Sequence, residues 1–596
     1  MTSGRIRSAF VVIDGEEEAL ETIITIPPDG GWGWVVMVSS FFCNMIADGL
    51  VFMFGVYLDD ISKTLRSDPT SVANINSAMT GVYSFAGPFA SALTNRYGFR
   101  TAAVVGSLIG CAGYLLTSQT IEIWQCYLTH GALTGVGTGL LYVPSIVVVG
   151  FYFEKWRALA TSIAVTGSSV GMIVFPVIIN FILTDYKWSI HFMVFGALFG
   201  LCLIFALVYK PLEPVRIEPT VERRVTFDLS NMPSRYNNAS FPTNAAVYNK
   251  ENMTFIPLKQ ESSETIYSGT ISDSSREFAS GFFSRLAFSS RVHQMSRERN
   301  ISKCAACCRL CCRRKVRMKP VSRPFYRDDA FYTGSLAILP DYKKSQLATQ
   351  RNVYEKSAID YHISVTRTAT AADLYAKHHA CACCPDSCRR VLVTMLDLSI
   401  LKSIPVLLVV FSGLFTTAGQ YIPFTYIVPR STQVGINDMD AKMLISIMGI
   451  ANCVGRISSG ILSTIPAIDP CCLTAVMLLI AGAATLSCSV SNTFWYQSLT
   501  CAIFGFCIAG PVSLRSVIIV ELIGLSRLTS AFGLCLVFLG IGCFAGVPLA
   551  GFFVDMTGSF DYGFYFAGGV IVLSGILLIP VKPIAKKYPQ TVEFLK

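Results

Sequence analysis

Twelve apolar stretches, each about twenty residues long, constrain this chain more than any other feature; six lie before residue 210 and six after residue 395. Twenty helical residues rise ~30 Å, the thickness of a bilayer's hydrocarbon core. The stretches run over roughly 32–57, 71–93, 101–118, 124–150, 158–182 and 188–209, then 402–428, 441–464, 471–491, 495–523, 528–553 and 562–581. Lipid leaves an open strand edge without hydrogen-bond partners, so such spans are helices. The expected class is an all-α polytopic membrane protein with 12 transmembrane helices.

Composition fits that class. Of 596 residues 52% are hydrophobic and only 14% charged, against about 25% in a soluble domain. The net charge of +10 does not point to nucleic acid, because Lys and Arg gather in one central segment and in short loops. The implied organisation is an N-terminal tail (1–31), a six-helix half (32–209), a connection (210–395), a second half (396–581) and a short tail (582–596). The tail's acidic run of Glu16, Glu17, Glu18 and Glu21 reads as a cytosolic start without a secretory signal. Arg96, Arg100, Lys155, Arg157, Arg527, Lys582, Lys586 and Lys587 fall on one side of the spans. The positive-inside bias then predicts cytoplasmic termini in a multi-pass protein of the plasma membrane.

The two halves repeat. SIVVVGFYFEKWRALATSIAVTGSSVG from Ser145 aligns with SVIIVELIGLSRLTSAFGLCLVFLGIG from Ser516 at offsets of 370 or 371 residues, setting Arg157 on Arg527, Gly171 on Gly542 and Asp185 on Asp555. Two parallel six-helix halves are the architecture of the major facilitator fold.

The connection is rich in Ser, Thr, Asn and Arg without a sustained apolar period, and reads as cytoplasmic and largely disordered. The sequons at Asn238, Asn252 and Asn300 would stay bare on that side. CAACCRLCC (304–312) and CACCPDSC (381–388) hold nine Cys. Beside His378 and His379 they offer zinc ligands, but in crowded spacing. Next to Arg313, Arg314, Lys315 and Arg317 they fit reversible lipidation better.

PDGGWGWVVMVSSF (28–41), just before the first span, resembles the opening motif of the monocarboxylate transporter family. GFYFEKWRALATSIAVTGSSVG (150–171), NRYGFR (95–100), GIANCVGRISSG (449–460) and VELIGLSRLTSAFGL (520–534) are similar to further stretches of that family, in order and in both halves. Asp29 alone is also suited to cap a helix start, and Trp32 and Trp34 suit the membrane interface.

The resemblance implies that Arg456, in the eighth span, meets a substrate carboxylate. Arg stays protonated and presents a planar fork, which suits that task. The lactate carriers of the family hold an acid four residues earlier and a lysine in the first span; here Asn452 and Phe52 stand at those positions. Asp48, in the first span, is then either a counter-charge to Arg456 or a substitute proton site. Phe52, Phe175 and Tyr421 are expected to wall the cavity. Asp29, Arg96, Arg100, Arg157, Arg515, Glu521 and Asp555 are expected in gating or helix-end roles, and His130 is a weak candidate pH sensor.

The expected function is secondary transport of small carboxylates by alternating access, with H+ as a candidate co-solute. The alternatives are a facilitative carrier of larger carboxylated or zwitterionic solutes, such as aromatic amino acids, and a non-transporting sensor or scaffold. No nucleophile–base pair, metal set or phosphate loop stands in the spans, so neither an enzyme nor a cofactor is expected. The resemblance also implies a single-span immunoglobulin-type glycoprotein partner.

Overall fold

The computed structural model describes residues 27–182, 186–212, 327–339, 392–462 and 468–587, with short stretches at 22–24, 215–217, 342–343, 361, 365–366 and 465. One body comprises residues 23–215 and 320–596. The second unit, residues 1–22 and 216–319, lies almost wholly outside the described residues, as do both cysteine clusters, the sequons and Asp185.

Among the described residues there are twelve helices of at least 18 residues. The first half holds α1 (Trp32–Val51), α2 (Pro69–Tyr97), α3 (Phe99–Thr117), α4 (Ile123–Tyr152), α5 (Arg157–Ile182) and α6 (Trp188–Leu207). The second holds α7 (Ile404–Gln433), α8 (Asp438–Leu462), α9 (Pro470–Ser487), α10 (Phe494–Ile523), α11 (Leu528–Thr557) and α12 (Phe560–Leu578). A 3₁₀ turn (Phe54–Tyr57) and a short helix (Leu58–Leu65) continue α1. Eleven spans are both long and apolar enough to cross a bilayer. The remaining helix, α2, is 29 residues long but polar. Its Asn76, Ser77, Thr80, Ser91, Thr94 and Asn95 are buried in protein rather than turned to lipid. Ser77 donates to the Cys543 carbonyl of α11 at 2.6 Å, so its polarity serves packing between helices.

The halves meet along two seams, α5 on α8 and α2 on α11. Within the first half α5 presses on α1. A Cβ at Gly167 would stand 2.1 Å from the Phe41 carbonyl oxygen, and one at Gly171 2.4 Å from that of Met45. Two small residues one turn apart give α5 the flat face that close helix approach in lipid needs. The outer surface exposes Leu108, Leu128, Ile204, Ile461 and Phe552, a belt suited to acyl chains. Glycine ends two helices in conformations that other residues avoid, Gly98 after α2 (φ 86) and Gly558 after α11 (φ 70). The Gly558 N–H bonds the Val554 carbonyl at 2.8 Å. Thus Gly558 makes the stop at the end of α11; Asp555 is exposed three residues before it and makes no hydrogen bond or ion pair among the described residues.

Candidate functional site

Among the described residues, three polar features of the body involve the residues and motifs singled out in the sequence. The first lies in the middle of the spans. Arg456 of α8 is buried; its Nε donates to Asn452 Oδ1 at 2.9 Å and its Nη1 to the Val165 carbonyl of α5 at 3.0 Å. Asn452 also accepts from Ser169 Oγ at 2.8 Å and donates to the Gly505 carbonyl at 3.0 Å. Three of its hydrogen-bonding places are therefore filled by protein, and Asn452 fixes the arginine rather than offering itself to a solute. Nη2 of Arg456 has no partner among the described residues.

Asp48 of α1 is buried and accepts from the Tyr83 hydroxyl at 3.3 Å. Its charge and that of Arg456 act on one another without a direct ion pair. Arg515 of α10 is half-buried and makes neither a hydrogen bond nor an ion pair among the described residues. The Tyr142 phenol gathers the group, being within electrostatic reach of Asp48, Arg456 and Arg515 together. Tyr83 packs edge-on against Tyr142 at 5.2 Å. Phe52 stacks on Tyr421 at 6.1 Å and meets Phe424 at 4.6 Å, closing one end with aromatic rings from both halves. Phe175, expected in the wall, is instead buried in the α1–α5 seam, close against Gly49.

The cluster holds two guanidiniums and one carboxylate. With Asp48 ionised it keeps an excess positive charge. An unpaired cation inside a membrane is costly unless it faces a wet cavity or a partner. The excess positive charge beside phenol hydroxyls suits an anion that accepts hydrogen bonds.

The second feature explains the opening motif. Asp29 does not cap α1, whose N-cap is Gly31 without a side-chain bond. Its carboxylate accepts instead from the N–H groups of Glu154 (2.6 Å) and Lys155 (3.0 Å), in the turn between α4 and α5. Trp34 packs edge-on against Phe153 at 4.8 Å, and Trp32 Nε1 donates to the Val208 carbonyl at 3.1 Å. The two most telling stretches of the sequence, 28–41 and 150–171, therefore touch.

The third feature lies where α4 ends, α5 begins and the 210–395 connection starts (the connection face). Arg157 of α5 bonds Asp329 at 2.8 Å; the two side chains are 2% and 0% exposed. Arg327 grips the same carboxylate through Nε at 2.9 Å and Nη2 at 2.8 Å. Burial alone would raise the Asp329 carboxyl, but the Arg327 and Arg157 guanidiniums outweigh it and hold it below the usual carboxylate range. The Tyr342 hydroxyl donates to Glu154 at 2.7 Å. Around these charges Phe331, Leu336 and Leu339 join an apolar cluster with Val147 and Phe151 of α4 and Ile519 and Ile523 of α10.

Residues 327–339 fall inside the connection that reads as largely disordered, and sequence reasoning missed this packed segment. The available signal was FYRDDAFYTGSLAIL (325–339), an aromatic and aliphatic run inside polar sequence. Among the other expected gating residues, Arg96 lies over the Tyr97 ring at 5.2 Å and Arg100 is exposed. Glu521 bonds Lys582 at 3.1 Å, and Lys582 also bonds Asp469, so the contact stays within the second half. Arg527, the repeat partner of Arg157, pairs with Asp397 at 3.5 Å. His130 is fully enclosed by Phe54, Tyr114 and Phe192, with no partner on either ring nitrogen among the described residues.

A family model described as Major Facilitator Superfamily matches residues 40–514 and 409–594. Monocarboxylate transporter 9 of Gallus gallus is 25% identical over 561 residues, covering 93% of each chain. Monocarboxylate transporter 14 of Mus musculus is 23% identical over 570 residues, covering 94% of this chain and 92% of its own. Monocarboxylate transporter 7 of Homo sapiens is 22% identical over 564 residues, covering 94% and 88%. Among solved structures, peptide transporter POT in complex with sulfate superposes with a TM-score of 0.52 at 14% identity, covering 94% of this chain and 97% of its own. At that identity the likeness is one of fold.

Proposed function

Because the chain belongs to the major facilitator superfamily of secondary transporters, we infer that it carries small carboxylate solutes across the plasma membrane by alternating access, with its termini and central connection in the cytoplasm. One observation carries the reading. Arg456 and Arg515 both lie within electrostatic reach of one phenol, Tyr142, and Arg515 makes neither a hydrogen bond nor an ion pair among the described residues. The single carboxylate of the cluster, Asp48, leaves room for one anion. Arg456 supplies a fixed cation through its free Nη2 and Arg515 a second; Tyr142 and Tyr421 supply donors, and Phe52 and Phe424 receive the apolar part.

Alternating access also agrees with the contacts between halves. At the face opposite the connection, a Cβ on Gly55 would meet the Phe424 carbonyl at 2.5 Å, so that face is shut beside the Phe52–Tyr421 stack. With that face shut, the path to the site runs on the cytoplasmic side, where residues 327–339 of the connection are seated.

The solute itself follows from the aromatic end and from Asn452. An amide at 452 cannot exchange a proton as an acid there would, while Phe52, Tyr421 and Phe424 favour a larger, ring-bearing carboxylate or zwitterion. Asp48 is the remaining group able to couple flux to H+. The test is counterflow of labelled lactate, aromatic carboxylates and aromatic amino acids in proteoliposomes, with and without a pH gradient. Saturable exchange that disappears in Arg456→Ala, at equal reconstitution, is expected. Undiminished exchange in that variant rejects the binding scheme, and no exchange of any anion in wild type favours a sensor.

A further inference from the structure

The midplane cluster leaves the third feature without a role. Residues 327–339 come from the central connection, yet they bond to both halves at the connection face. Thr333 does so by itself. Its carbonyl accepts from Thr161 Oγ1 of α5 at 3.2 Å, and its hydroxyl lies 2.8 Å from Ser516 Oγ of α10. Toward the first half, Asp329 grips Arg157. Toward the second, Phe331 stacks on Phe532 of α11 at 4.7 Å with the rings 20° apart, and Gly334 lies against Val517. Helices α4 and α10 make little contact of their own here. The apolar cluster between them is completed by Leu336 and Leu339.

A carrier that opens its midplane site to each side in turn has to part its halves at each face in turn. A segment bonded to both halves either releases one of them in every cycle or halts the cycle. The polar bonds of this segment are ion pairs and hydroxyl contacts, which water can replace when the segment leaves.

We propose that residues 327–339 are an intramolecular plug. Seated between α5 and α10–α11, they close the cytoplasmic path to Arg456 and Arg515 and hold the halves together; withdrawn, they admit solute. The plug rests on the reading of the chain as an alternating-access carrier with a cytoplasmic connection.

The test does not require a transported solute, so its failure is separable from failure of the transport reading. Cys535 of α11 is native, buried, part of the plug's apolar cluster and within electrostatic reach of Arg515. Inside-out vesicles bearing the full chain are exposed to a charged, membrane-impermeant methanethiosulfonate, and modification of Cys535 is followed by peptide mass spectrometry. Phe331→Ala combined with Thr333→Ala is expected to speed Cys535 modification about tenfold, by raising the population of the open seat. Cys501, buried in the far half of α10, keeps its rate. Equal Cys535 rates in wild type and variant overturn the plug. If Cys501 also speeds up, the variant has loosened the fold, and Thr333→Cys with Ser516→Cys decides. A disulfide that forms on mild oxidation and slows Cys535 modification supports the plug; no disulfide, or one that leaves Cys535 unaffected, overturns it.

Discussion

Asn452 and Arg456 stand one helical turn apart on α8, and Asn452 Oδ1 accepts the Arg456 Nε at 2.9 Å while also holding Ser169 of the other half. The amide thus aims the guanidinium and ties it to α5. Asn452→Ala removes a hydrogen bond to a charged group, a loss of about 1.5–3 kcal/mol. The expected outcome is a KM raised roughly tenfold or more with a smaller fall in kcat, since the charge remains and only its aim is lost. Uptake kinetics at matched surface expression check this. A fall in kcat alone would place Asn452 in the conformational cycle.

Arg515 differs from Arg157 in having nothing to strand. Arg515→Gln should leave thermal unfolding near that of wild type while reducing anion uptake severely. Arg157→Gln leaves the fully buried Asp329 with one cation fewer; breaking a buried pair costs about 3–5 kcal/mol. That variant should unfold earlier whatever its transport. Unfolding midpoints of the two variants side by side measure the contrast, and equal destabilisation would deny that Arg515 lacks a partner.

Asp48 is the acid placed to report coupling. If it carries the proton, Asp48→Asn flattens the pH dependence of uptake and removes acceleration by an inward H+ gradient. Should Asp48 only balance Arg456, Asp48→Asn instead strengthens anion binding, because the cluster loses its one negative charge. Uptake against pH and the KM of the variant separate the outcomes; an unchanged pH profile removes the proton role.

The spans were legible because lipid admits few solutions for twenty apolar residues. The stretch 71–93 reads in the sequence as another apolar span, whereas the buried Asn and Ser residues of α2 serve its packing on α11 and lower its hydropathy. Arg456 and Asp48 stood out as charges inside apolar runs. Their neighbours did not, because Val165, Ser169 and Tyr142 carry no signal until the helices are packed. Asp29 illustrates the limit: a helix cap is the local reading, whereas its partners are the N–H groups of Glu154 and Lys155, far along the chain. The packed segment at 327–339 was hidden for the same reason, since Asp329 gains meaning only beside Arg157.

The Asp29 contact yields its own expectation. Asp29→Ala removes the acceptor for two backbone N–H groups in the α4–α5 turn, which also positions Glu154 and Arg157. Loss of a charged cap costs about 0.5–2 kcal/mol. Surface expression and the unfolding midpoint should fall, with Asp29→Asn partly restoring both because the amide oxygen still accepts. A variant that folds and matures normally would reduce the motif's role to its tryptophans.

The Asp329 cluster has a defined behaviour with pH. Its carboxyl is held below the ordinary range in the folded chain, since the Arg327 and Arg157 guanidiniums outweigh the effect of burial. The folded state therefore binds fewer protons at this group than the unfolded chain does. Its stabilising contribution is complete above the unfolded carboxyl value of 3.8 and is lost as pH falls through the lower folded value. The difference in unfolding midpoint between wild type and Asp329→Asn should stay constant from about pH 8 to about pH 5 and shrink only below about pH 4. Over the physiological range the ion pair then stays closed, so acidification alone does not unseat residues 327–339. A midpoint difference that already narrows near pH 6 would show that a neighbouring group with a higher pKa controls the contact.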